Sequence, residues 1–354
     1  MSIPTPSTTL ITSLLSDFFK GAEVNHSDDL QALWSGYGSI ARYRVDRSSA
    51  APETTALAGA SRGESFSIIV KSIHPPSDRQ HPRGWNTNRS HQRKLHSYQV
   101  ESQWYQHWAS DCDHHSRVPH CFGMIEVSES HQCIILEDLD EHGFNQRCDK
   151  LSVEQCQPCL HWLANFHATF LRKNNNTDWP KPLWPQGSYW HLDTRPDEWQ
   201  AMEESALKAA AADIDQQLES TQFTTLIHGD AKVANFCFST DMQSVAAVDF
   251  QYVGGGCGMK DLVYFLGSCL TEQECQNKHA QLLESYFLVL KAALSKSQSS
   301  IDIVELERDW RYRYPLAWAD FQRFILGWSP THKKNHGFAQ QMTQLALDQL
   351  ASKP

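Results

Sequence analysis

The sequence lacks the features that mark secreted, membrane-spanning and nucleic-acid-binding proteins. No run of eighteen apolar residues is free of charge, and the first apolar stretch has no basic residues before it, so we expect neither a transmembrane helix nor a secretory signal. Basic residues are outnumbered by acidic ones, 31 against 41, which gives no electrostatic reason to expect nucleic acid or an anionic membrane as a partner. We therefore expect a cytoplasmic, untargeted protein.

Cysteine is not scarce, but its spacing is not that of a disulfide framework or a zinc site. Ten cysteines are scattered over 354 residues, and the one CxxC pair, Cys156 and Cys159, has no second pair. Because the segment that carries this pair has helical spacing, we interpret the two cysteines as packed free thiols rather than as a redox or metal site. The histidines form no HExxH motif, so the sequence supports no metal other than the magnesium considered below.

The apolar pattern predicts an α+β protein with two lobes. A helical period over residues 10–19 predicts an amphipathic helix, and residues 90–109 predict a second one. Four strands are predicted before residue 140, in SIARYRVD, SFSIIVKSIH, HCFGMIEVS and HQCIILEDL. Residues 1–139 should therefore form a small lobe built on an antiparallel sheet with one helix packed against it. Residues 140–354 should form a larger, mainly helical lobe with short strands near 223–251.

The strongest chemical signal is LIHGDAKVANFCF at 226–238, followed by a strand that ends at Asp249. Phosphoryl transfer from a nucleotide needs one carboxylate that orients or deprotonates the attacking hydroxyl, here Asp230. It also needs an amide and a second carboxylate that hold magnesium against the phosphates, here Asn235 and Asp249. A Gly-Asp turn alone is common, but HGDxxxxN with an aspartate fourteen residues later is a compound pattern. We interpret it as a catalytic loop.

On these residues the chain resembles the kinase-like small-molecule phosphotransferases, which include choline kinases and aminoglycoside phosphotransferases, and it is most similar in local sequence to the ecdysteroid kinase-like group. The resemblance implies a bilobal, protein-kinase-like fold that uses ATP and Mg²⁺. It implies that Asp230 is the catalytic base and that Asn235 and Asp249 are metal ligands. His228 and Asp261, the latter opening a helix in DFQYVGGGCGMKDLVYFL, are expected to support the loop.

Three further charged residues fit this chemistry. Lys71 ends an apolar strand from which it can reach the α and β phosphates, and Glu101 on the following helix can pair with it. Lys232, two residues after Asp230, is expected to stabilise charge on the transferred group. The alternative interpretations are a solvated strand lysine for Lys71, a surface glutamate for Glu101 and a surface loop lysine for Lys232.

Two segments of the small lobe are expected to contact the nucleotide through their backbone. The turn from Ser35 is expected to cover the phosphates with its N–H groups, through Gly36, Tyr37, Gly38 and Ser39; an ordinary hairpin is the alternative. The segment ending the last strand resembles an interlobe hinge, in which the backbone of Glu137 and Leu139 would bind adenine. The side chains of Glu137 and Asp138 are expected to face solvent.

The sequence favours a small-molecule acceptor over a protein. Only twelve residues separate Asp249 from Asp261, which leaves no room for an activation segment and peptide-docking platform. Related kinases build the acceptor pocket from C-terminal helices, which makes Trp318 and Asp320 candidate substrate contacts, with a packed aromatic core as the alternative. We expect a neutral or weakly polar alcohol, with a choline-like amino alcohol or an aminoglycoside as the alternative acceptor.

Two questions stay open at this stage. The basic stretch from Arg79 to Lys94 is interpreted as a solvated loop, with closure over an acidic acceptor as the alternative. A nucleotide-binding pseudokinase or a non-catalytic scaffold is the alternative to an enzyme, because the presence of reactive groups does not prove turnover.

Overall fold

The computed structural model describes residues 8–33, 36–46, 65–75, 88–128, 130–173, 179–297 and 301–352. The described residues form two compact units. Unit 1 takes them from Met1–Ala109 and Pro119–Asn145, and unit 2 takes them from Ser110–Val118 and Gln146–Pro354. Among the described residues, none of the helices combines the length and the apolar character that crossing a bilayer requires.

Unit 1 is built on a five-stranded antiparallel sheet in the order β1-β2-β3-β5-β4. Its strands are β1 (Glu23–Ala32), β2 (Gly38–Asp46), β3 (Phe66–Ile73), β4 (Cys121–Ser128) and β5 (His131–Glu137), and its helices are α1 (Thr8–Phe18) and α2 (Asn88–His107). The amphipathic first helix, the second helix and four of these strands were predicted from the apolar pattern. The prediction of an α+β protein is confirmed.

The strand β1 is the element of unit 1 that the sequence did not predict. It lies at the edge of the sheet, pairs only with β2, and buries only Val24. A strand with so little buried surface carries no alternation of apolar and polar residues, and that alternation is the signal by which strands are recognised.

The interior of unit 1 lies between α1 and one face of the sheet. Leu15 of α1 packs with Val45, Ile68 and Ile135, and none of these side chains is exposed. β3 is the central strand, and its residue Lys71 lies opposite Ile40 of β2 and Ile134 of β5. Paired strands on both sides place the Lys71 side chain where water is largely excluded.

Unit 2 is mainly helical, with two small antiparallel sheets. Its helices are α3 (Gln157–Phe170), α4 (Pro196–Ala201), α5 (Ala206–Ala209), α6 (Ala211–Glu219), α7 (Met259–Cys269), α8 (Glu272–Lys296), α9 (Ile303–Trp328) and α10 (Gly337–Ala351). One sheet contains β6 (Arg172–Lys173), β7 (Phe223–Ile227) and β10 (Gly254–Gly256), in the order β10-β7-β6. The other pairs β8 (Phe236–Phe238) with β9 (Val245–Ala247).

The alanine-rich segment of residues 196–219 forms three short helices, α4, α5 and α6. The side chain of Ser205 accepts a hydrogen bond from the backbone N–H of Lys208 and so begins α5 anew. Ala210 then leaves helical geometry at φ −83° and ψ 0° before α6 begins. A local capping interaction overrides the continuous helical propensity of the alanine-rich segment.

Candidate active site

The HGD segment follows β7 directly and needs glycine at its centre. Gly229 has a φ of 78°, and a Cβ atom there would lie 2.1 Å from the carbonyl oxygen of Tyr252. Any other residue would therefore be strained and would clash. The backbone N–H of Tyr189 donates to the Gly229 carbonyl over 3.1 Å, so the segment around Tyr189 lies against the loop.

Asp261 holds this loop through its backbone. It is fully buried at the start of α7 and accepts hydrogen bonds from the N–H of His228 at 2.6 Å and of Gly229 at 2.9 Å. His167 of α3 lies 3.2 Å from the same carboxylate and 2.7 Å from the Tyr286 hydroxyl. Asp261 therefore contacts the loop backbone through both of its carboxylate oxygens.

The His228 side chain fixes the other side of the loop. Its Nε2 lies 3.0 Å from the carbonyl oxygen of Val248, and its Nδ1 lies 3.3 Å from the backbone N–H of Asp230. A neutral ring with its proton on Nε2 satisfies both contacts. The ring also packs against Phe250, with the ring centres 4.6 Å apart.

The Asp230 carboxylate lies at the centre of the site. Its Oδ2 accepts hydrogen bonds from Lys232 Nζ at 2.9 Å and from Asn235 Nδ2 at 3.0 Å. The Asp230 charge raises the pKa of Lys232 well above its usual range, with a further contribution from Asp249, so Lys232 stays protonated. Three predicted site residues, Asp230, Lys232 and Asn235, are thus brought into direct contact.

The short β8–β9 ladder brings Asn235 and Asp249 to the same end of one sheet. Asn235 precedes β8, Asp249 follows β9, and the Val248 N–H donates to the Asn235 carbonyl at 3.0 Å. The Asn235 amide donates twice, to the Asp230 backbone oxygen at 2.8 Å and to its carboxylate. These donations fix the orientation of the amide and leave its Oδ1 without a hydrogen-bond donor among the described residues.

Asp249 adopts a backbone conformation that is unusual for its residue type. Its φ is 69°, in the left-handed region, which costs on the order of 1 kcal/mol or more for a residue other than glycine. Its Oδ1 accepts a hydrogen bond of 2.6 Å from Gln251 Nε2. Strain of this kind persists where surrounding contacts impose it, and such positions cluster at functional sites.

In unit 1 the predicted pair of Lys71 and Glu101 is formed. Lys71 Nζ lies 2.9 Å from Glu101 Oε1 and 2.7 Å from Oε2, and both side chains are almost fully buried. The Tyr98 ring lies beside the pair, 5.7 Å from Lys71 Nζ. The structure contains the predicted contact. The role of the pair in nucleotide binding stays a prediction.

The glycine turn of unit 1 connects β1 with β2, as an ordinary hairpin would. Gly36 has a φ of 73°, and Gly38 and Ser39 open β2. Tyr37 is buried, with its hydroxyl 2.5 Å from His91 Nδ1, so its side chain serves packing. Ser35 lies outside the described residues, and the phosphate-covering role of the turn stays a prediction.

The expectation that Glu137 and Asp138 face solvent is wrong. Asp138 is buried and accepts hydrogen bonds from Arg42 Nε at 2.6 Å and Ser67 Oγ at 2.5 Å. Glu137 is buried as well, with its carboxylate accepting from the His120 N–H at 2.8 Å. Partners distant in the chain supply these contacts, so local polarity gave no sign of them.

The backbone N–H groups of Glu137 and Leu139 differ in whether they already donate a hydrogen bond. The Glu137 N–H already donates to the His120 carbonyl at 2.8 Å. The Leu139 N–H donates to no acceptor among the described residues, whereas its carbonyl accepts from Phe144. Of the two predicted adenine contacts, Leu139 therefore has the free donor.

Trp318 and Asp320, the predicted acceptor contacts, lie in the interior of α9. Trp318 packs edge-on against Phe338, with the ring centres 5.2 Å apart. Asp320 lies 3.1 Å from Lys260 Nζ and accepts from Arg323 at 2.7 Å, and all three are at most 3% exposed. Burial raises the pKa of Asp320, but Lys260 and Arg323 outweigh it and hold the pKa at about 2. This environment matches the packed-core alternative, and acceptor contact stays a prediction for both residues.

Three residues near Asp230 were missed by the sequence analysis. The Tyr264 hydroxyl of α7 donates to the Tyr189 hydroxyl at 3.2 Å, and burial raises the pKa of Tyr264 well above its usual value, with Tyr189 and Asp230 adding to it. Lys334, between α9 and α10, has its Nζ 4.6 Å from the centre of the Tyr264 ring. Burial lowers the pKa of Lys334 to about 8, against the opposing effect of Asp230. Only the pair of adjacent lysines in THKKNH could have drawn attention to this segment.

The basic stretch is only partly described. Arg79, His81 and Arg83 lie outside the described residues, whereas Arg93 and Lys94 belong to α2. The second half of the predicted loop is therefore the first part of a helix, in which Lys94 Nζ lies 4.7 Å from the centre of the Tyr98 ring.

Solved structures of similar fold are kinases of small molecules. An amicoumacin kinase in complex with AMP-PNP, Ca²⁺ and its ligand aligns over 98% of this chain and 94% of its own, with a TM-score of 0.50 and 11% identity. A microcompartment-associated aminopropanol kinase aligns over 98% of both chains, with a TM-score of 0.49 and 16% identity. The aminoglycoside phosphotransferase APH(4)-Ia aligns over 97% of this chain and 99% of its own, with a TM-score of 0.47 and 13% identity. At these identities the likeness concerns the fold alone.

No curated protein matches the chain, but a protein family does. The ecdysteroid kinase-like family matches residues 50–178 and 186–299, which is more than half of the sequence and includes the HGD loop, Asn235 and Asp249. The family resemblance and the kinase-like fold predicted from the sequence are confirmed. The chain belongs to the ecdysteroid kinase-like family and is a small-molecule phosphotransferase of kinase-like fold.

Proposed function

We propose that the protein transfers the γ-phosphoryl group of ATP, with Mg²⁺, to a hydroxyl group of a neutral or weakly polar small molecule. The observation that carries the proposal is the contact of Asp230 with both Lys232 and Asn235 on a loop whose backbone is fixed by the buried Asp261. A fixed loop backbone holds the Asp230 side chain in one position relative to Lys232 and Asn235. Such a fixed arrangement is what catalysis at the Asp230 carboxylate needs.

Asp230 is the catalytic base in this proposal. Lys232 and Asn235 donate to Oδ2 of this carboxylate. In the proposed step the carboxylate accepts the hydroxyl proton of the acceptor as the acceptor oxygen bonds to the γ-phosphorus and the bond from that phosphorus to the ADP oxygen breaks. Lys232 and Asn235 hold the carboxylate in its orientation through these two hydrogen bonds. The Lys232 cation also compensates charge on the transferred phosphoryl group.

The residues present fit a hard divalent cation. Asn235 offers an amide oxygen that no described residue uses, and Asp249 offers a carboxylate, which are the oxygen ligands that Mg²⁺ prefers. When bound, Mg²⁺ neutralises phosphate charge and aligns the phosphates for transfer. The left-handed backbone of Asp249 supports the proposal because such strained positions cluster at functional sites.

In unit 1, Lys71 is the proposed phosphate-binding cation. Glu101 fixes the ammonium group and prevents it from folding back onto the strand. The Leu139 N–H is the proposed donor to the adenine ring, because it is the one of the two predicted hinge donors without an acceptor among the described residues. Both roles follow the pattern of the kinase-like fold.

The proposed acceptor class rests on the charges and rings beside Asp230. Lys334 lies over the Tyr264 ring, and the Arg195 guanidinium lies 5.5 Å from the centre of the Tyr189 ring. Cations already occupy these aromatic faces, so a cationic acceptor would meet repulsion where a choline-like ligand needs an open ring. The family name refers to ecdysteroids, which are neutral polyhydroxylated sterols, and this supports the same class.

A screen of ATP consumption tests the proposal. Purified protein is incubated with MgATP and sterols, sugars, amino alcohols or aminoglycosides, with the Asp230→Asn variant as the matched control. We expect ATP consumption that depends on a neutral alcohol and is absent in the variant. Binding of ATP without consumption across the panel would support the pseudokinase alternative, and no binding at all would support the scaffold.

A further inference from the structure

A second group of metal-ligating side chains lies outside the site described above. His191 follows the segment that carries Tyr189, and α6 places Asp215 and Glu219 four residues apart on one helical face. One ligand atom from each of the three residues lies within 4.8 Å of the others. The group shares no residue with the proposed Mg²⁺ ligands.

The central atoms of this group contact one another without an aligned hydrogen bond. His191 Nε2 lies 3.2 Å from Asp215 Oδ1 and 3.5 Å from Glu219 Oε1, and the His191 side chain is only 5% exposed. His191 Nε2 and Asp215 Oδ1 have no hydrogen-bond partner outside the group among the described residues. Buried polar atoms held only by such contacts are costly and call for an explanation.

The electrostatic surroundings suit a cation. The carboxylates of Asp215 and Glu219 place two oxygens within 3.5 Å of His191 Nε2. The charge of Lys260 is compensated by Asp320 at 3.1 Å. The two carboxylates therefore stabilise positive charge beside the imidazole.

We propose that His191, Asp215 and Glu219 bind a divalent transition-metal ion of the Zn²⁺ class. A tetrahedral zinc ion with bonds of about 2.0–2.2 Å keeps its ligand atoms about 3.3–3.6 Å apart. The separation of 3.5 Å from His191 Nε2 to Glu219 Oε1 fits this edge length, and the 3.2 Å to Asp215 Oδ1 is slightly shorter than it. One nitrogen and two carboxylate oxygens form a three-ligand set that leaves a fourth position for water.

The ion would join the His191 segment to α6. That segment also contacts the catalytic loop, through the hydrogen bond of 3.1 Å from the Tyr189 N–H to the Gly229 carbonyl. The sequence predicted no metal besides magnesium, because its ligands span 191–219 without a recognised motif and only folding brings them together.

Metal titration of the full-length chain tests the proposal. Wild-type protein, freed of metal and without nucleotide, is titrated with Zn²⁺ by calorimetry, and with Co²⁺ by absorption spectroscopy to report the ligand type. We expect one site with visible cobalt bands and no thiolate charge-transfer band, which separates it from the ten free cysteines. Glu219→Gln and Asp215→Asn should each raise the dissociation constant at least tenfold.

Asp213→Asn is the matched control, because Asp213 is an exposed carboxylate on the same helix and should leave the dissociation constant unchanged. Thermal unfolding tests the proposal even where a variant is less stable than the wild type. One equivalent of Zn²⁺ should raise the midpoint temperature of unfolding of the wild type and of Asp213→Asn, but not that of Glu219→Gln. Failure of the wild type to bind zinc, a thiolate cobalt spectrum, or equal binding by all four proteins would overturn the proposal and leave an ion-paired histidine.

Discussion

Two of the lysine–carboxylate contacts in unit 2, one at Asp230 and one at Asp320, differ in exposure. In the first, Lys232 Nζ lies 2.9 Å from Asp230, and the two side chains are 38% and 10% exposed. In the second, Lys260 Nζ lies 3.1 Å from Asp320, and the two are 3% and 1% exposed. The distances are alike, so the different roles that we propose for the two carboxylates depend on solvent access and on the remaining partners.

The partners of the two carboxylates explain the difference. Asp320 has cationic contacts on both oxygens, from Lys260 and from Arg323, which also donates to the Trp190 carbonyl at 2.8 Å. Among the described residues, Asp230 contacts a single cation, Lys232, and its other donor at Oδ2 is the neutral amide of Asn235. A carboxylate buried between two cations stabilises the fold, whereas we propose that the more exposed Asp230 exchanges a proton with a substrate.

The largest effect is expected from Asp230→Asn. The amide cannot accept the hydroxyl proton, so kcat should fall by about 10²–10⁴-fold, while ATP affinity stays within a few-fold because the base does not hold the nucleotide. Steady-state kinetics and calorimetry with ATP measure the two quantities. An Asp230→Asn protein that keeps its turnover would remove the base assignment.

Asp320→Asn should lower the stability of the protein and leave its turnover unchanged. The neutral amide leaves Lys260 and Arg323 buried without a counter-charge, so the free energy of unfolding should fall by about 3–5 kcal/mol. Denaturant unfolding measures it, and the surviving folded protein should keep turnover per folded molecule. A variant with wild-type stability would mean that the cluster contributes nothing to the fold.

The loss of stability at low pH gives a second test of the role of Asp320. The pKa of Asp320 is held at about 2, below the usual value for an unfolded chain, so its stabilisation is fully present above about pH 4. That stabilisation is lost as pH falls from about 4 towards 2. Over this range the wild type should lose stability more steeply than Asp320→Asn, and equal slopes would contradict the assignment.

Lys71→Met should have an intermediate effect on the nucleotide. Loss of a charged hydrogen bond to phosphate is worth about 1.5–3 kcal/mol, so KM for ATP should rise by about 10–100-fold. Lys94→Met is the matched control, because its ammonium group contacts the same Tyr98 ring as that of Lys71, and the Lys71 ammonium group forms the buried ion pair with Glu101. Equal KM values for the two variants would count against a phosphate-binding role for Lys71.

The smallest expected effect concerns Lys334 and acceptor charge. Lys334→Met should strengthen inhibition by quaternary amines by about fivefold at low salt, through loss of one repulsive charge, and leave neutral acceptors unchanged. Lys333→Met, its exposed neighbour, is the control. Because burial lowers the pKa of Lys334 to about 8, wild-type inhibition by amines should strengthen as pH rises through 8, and a flat profile would contradict the acceptor assignment.

Those parts of the molecule that depend on short sequence distances were predictable. Asp230, Lys232 and Asn235 lie within six residues, so a loop after one strand brings them together. The pairing of Lys71 with Glu101 was also predicted, because a strand followed by a helix in a small sheet leaves few places for either charge.

The features that were missed depend on distant partners. β1 is an exposed edge strand, and Asp138 is buried by Arg42, which lies in β2, 96 residues earlier. Lys334 reaches the Tyr264 ring only through the turn between α9 and α10. Such contacts are set by tertiary packing, and neither hydrophobic periodicity nor local polarity reports them.

The most direct test of the account follows the γ-phosphate itself. Wild-type protein is incubated with γ-labelled ATP, Mg²⁺ and the best acceptor from the screen, and the label is located by chromatography and mass spectrometry. The account predicts a phosphate monoester of the acceptor hydroxyl, formed by the wild type and not by Asp230→Asn. Label found only in inorganic phosphate, or monoester formed equally by both proteins, would contradict it.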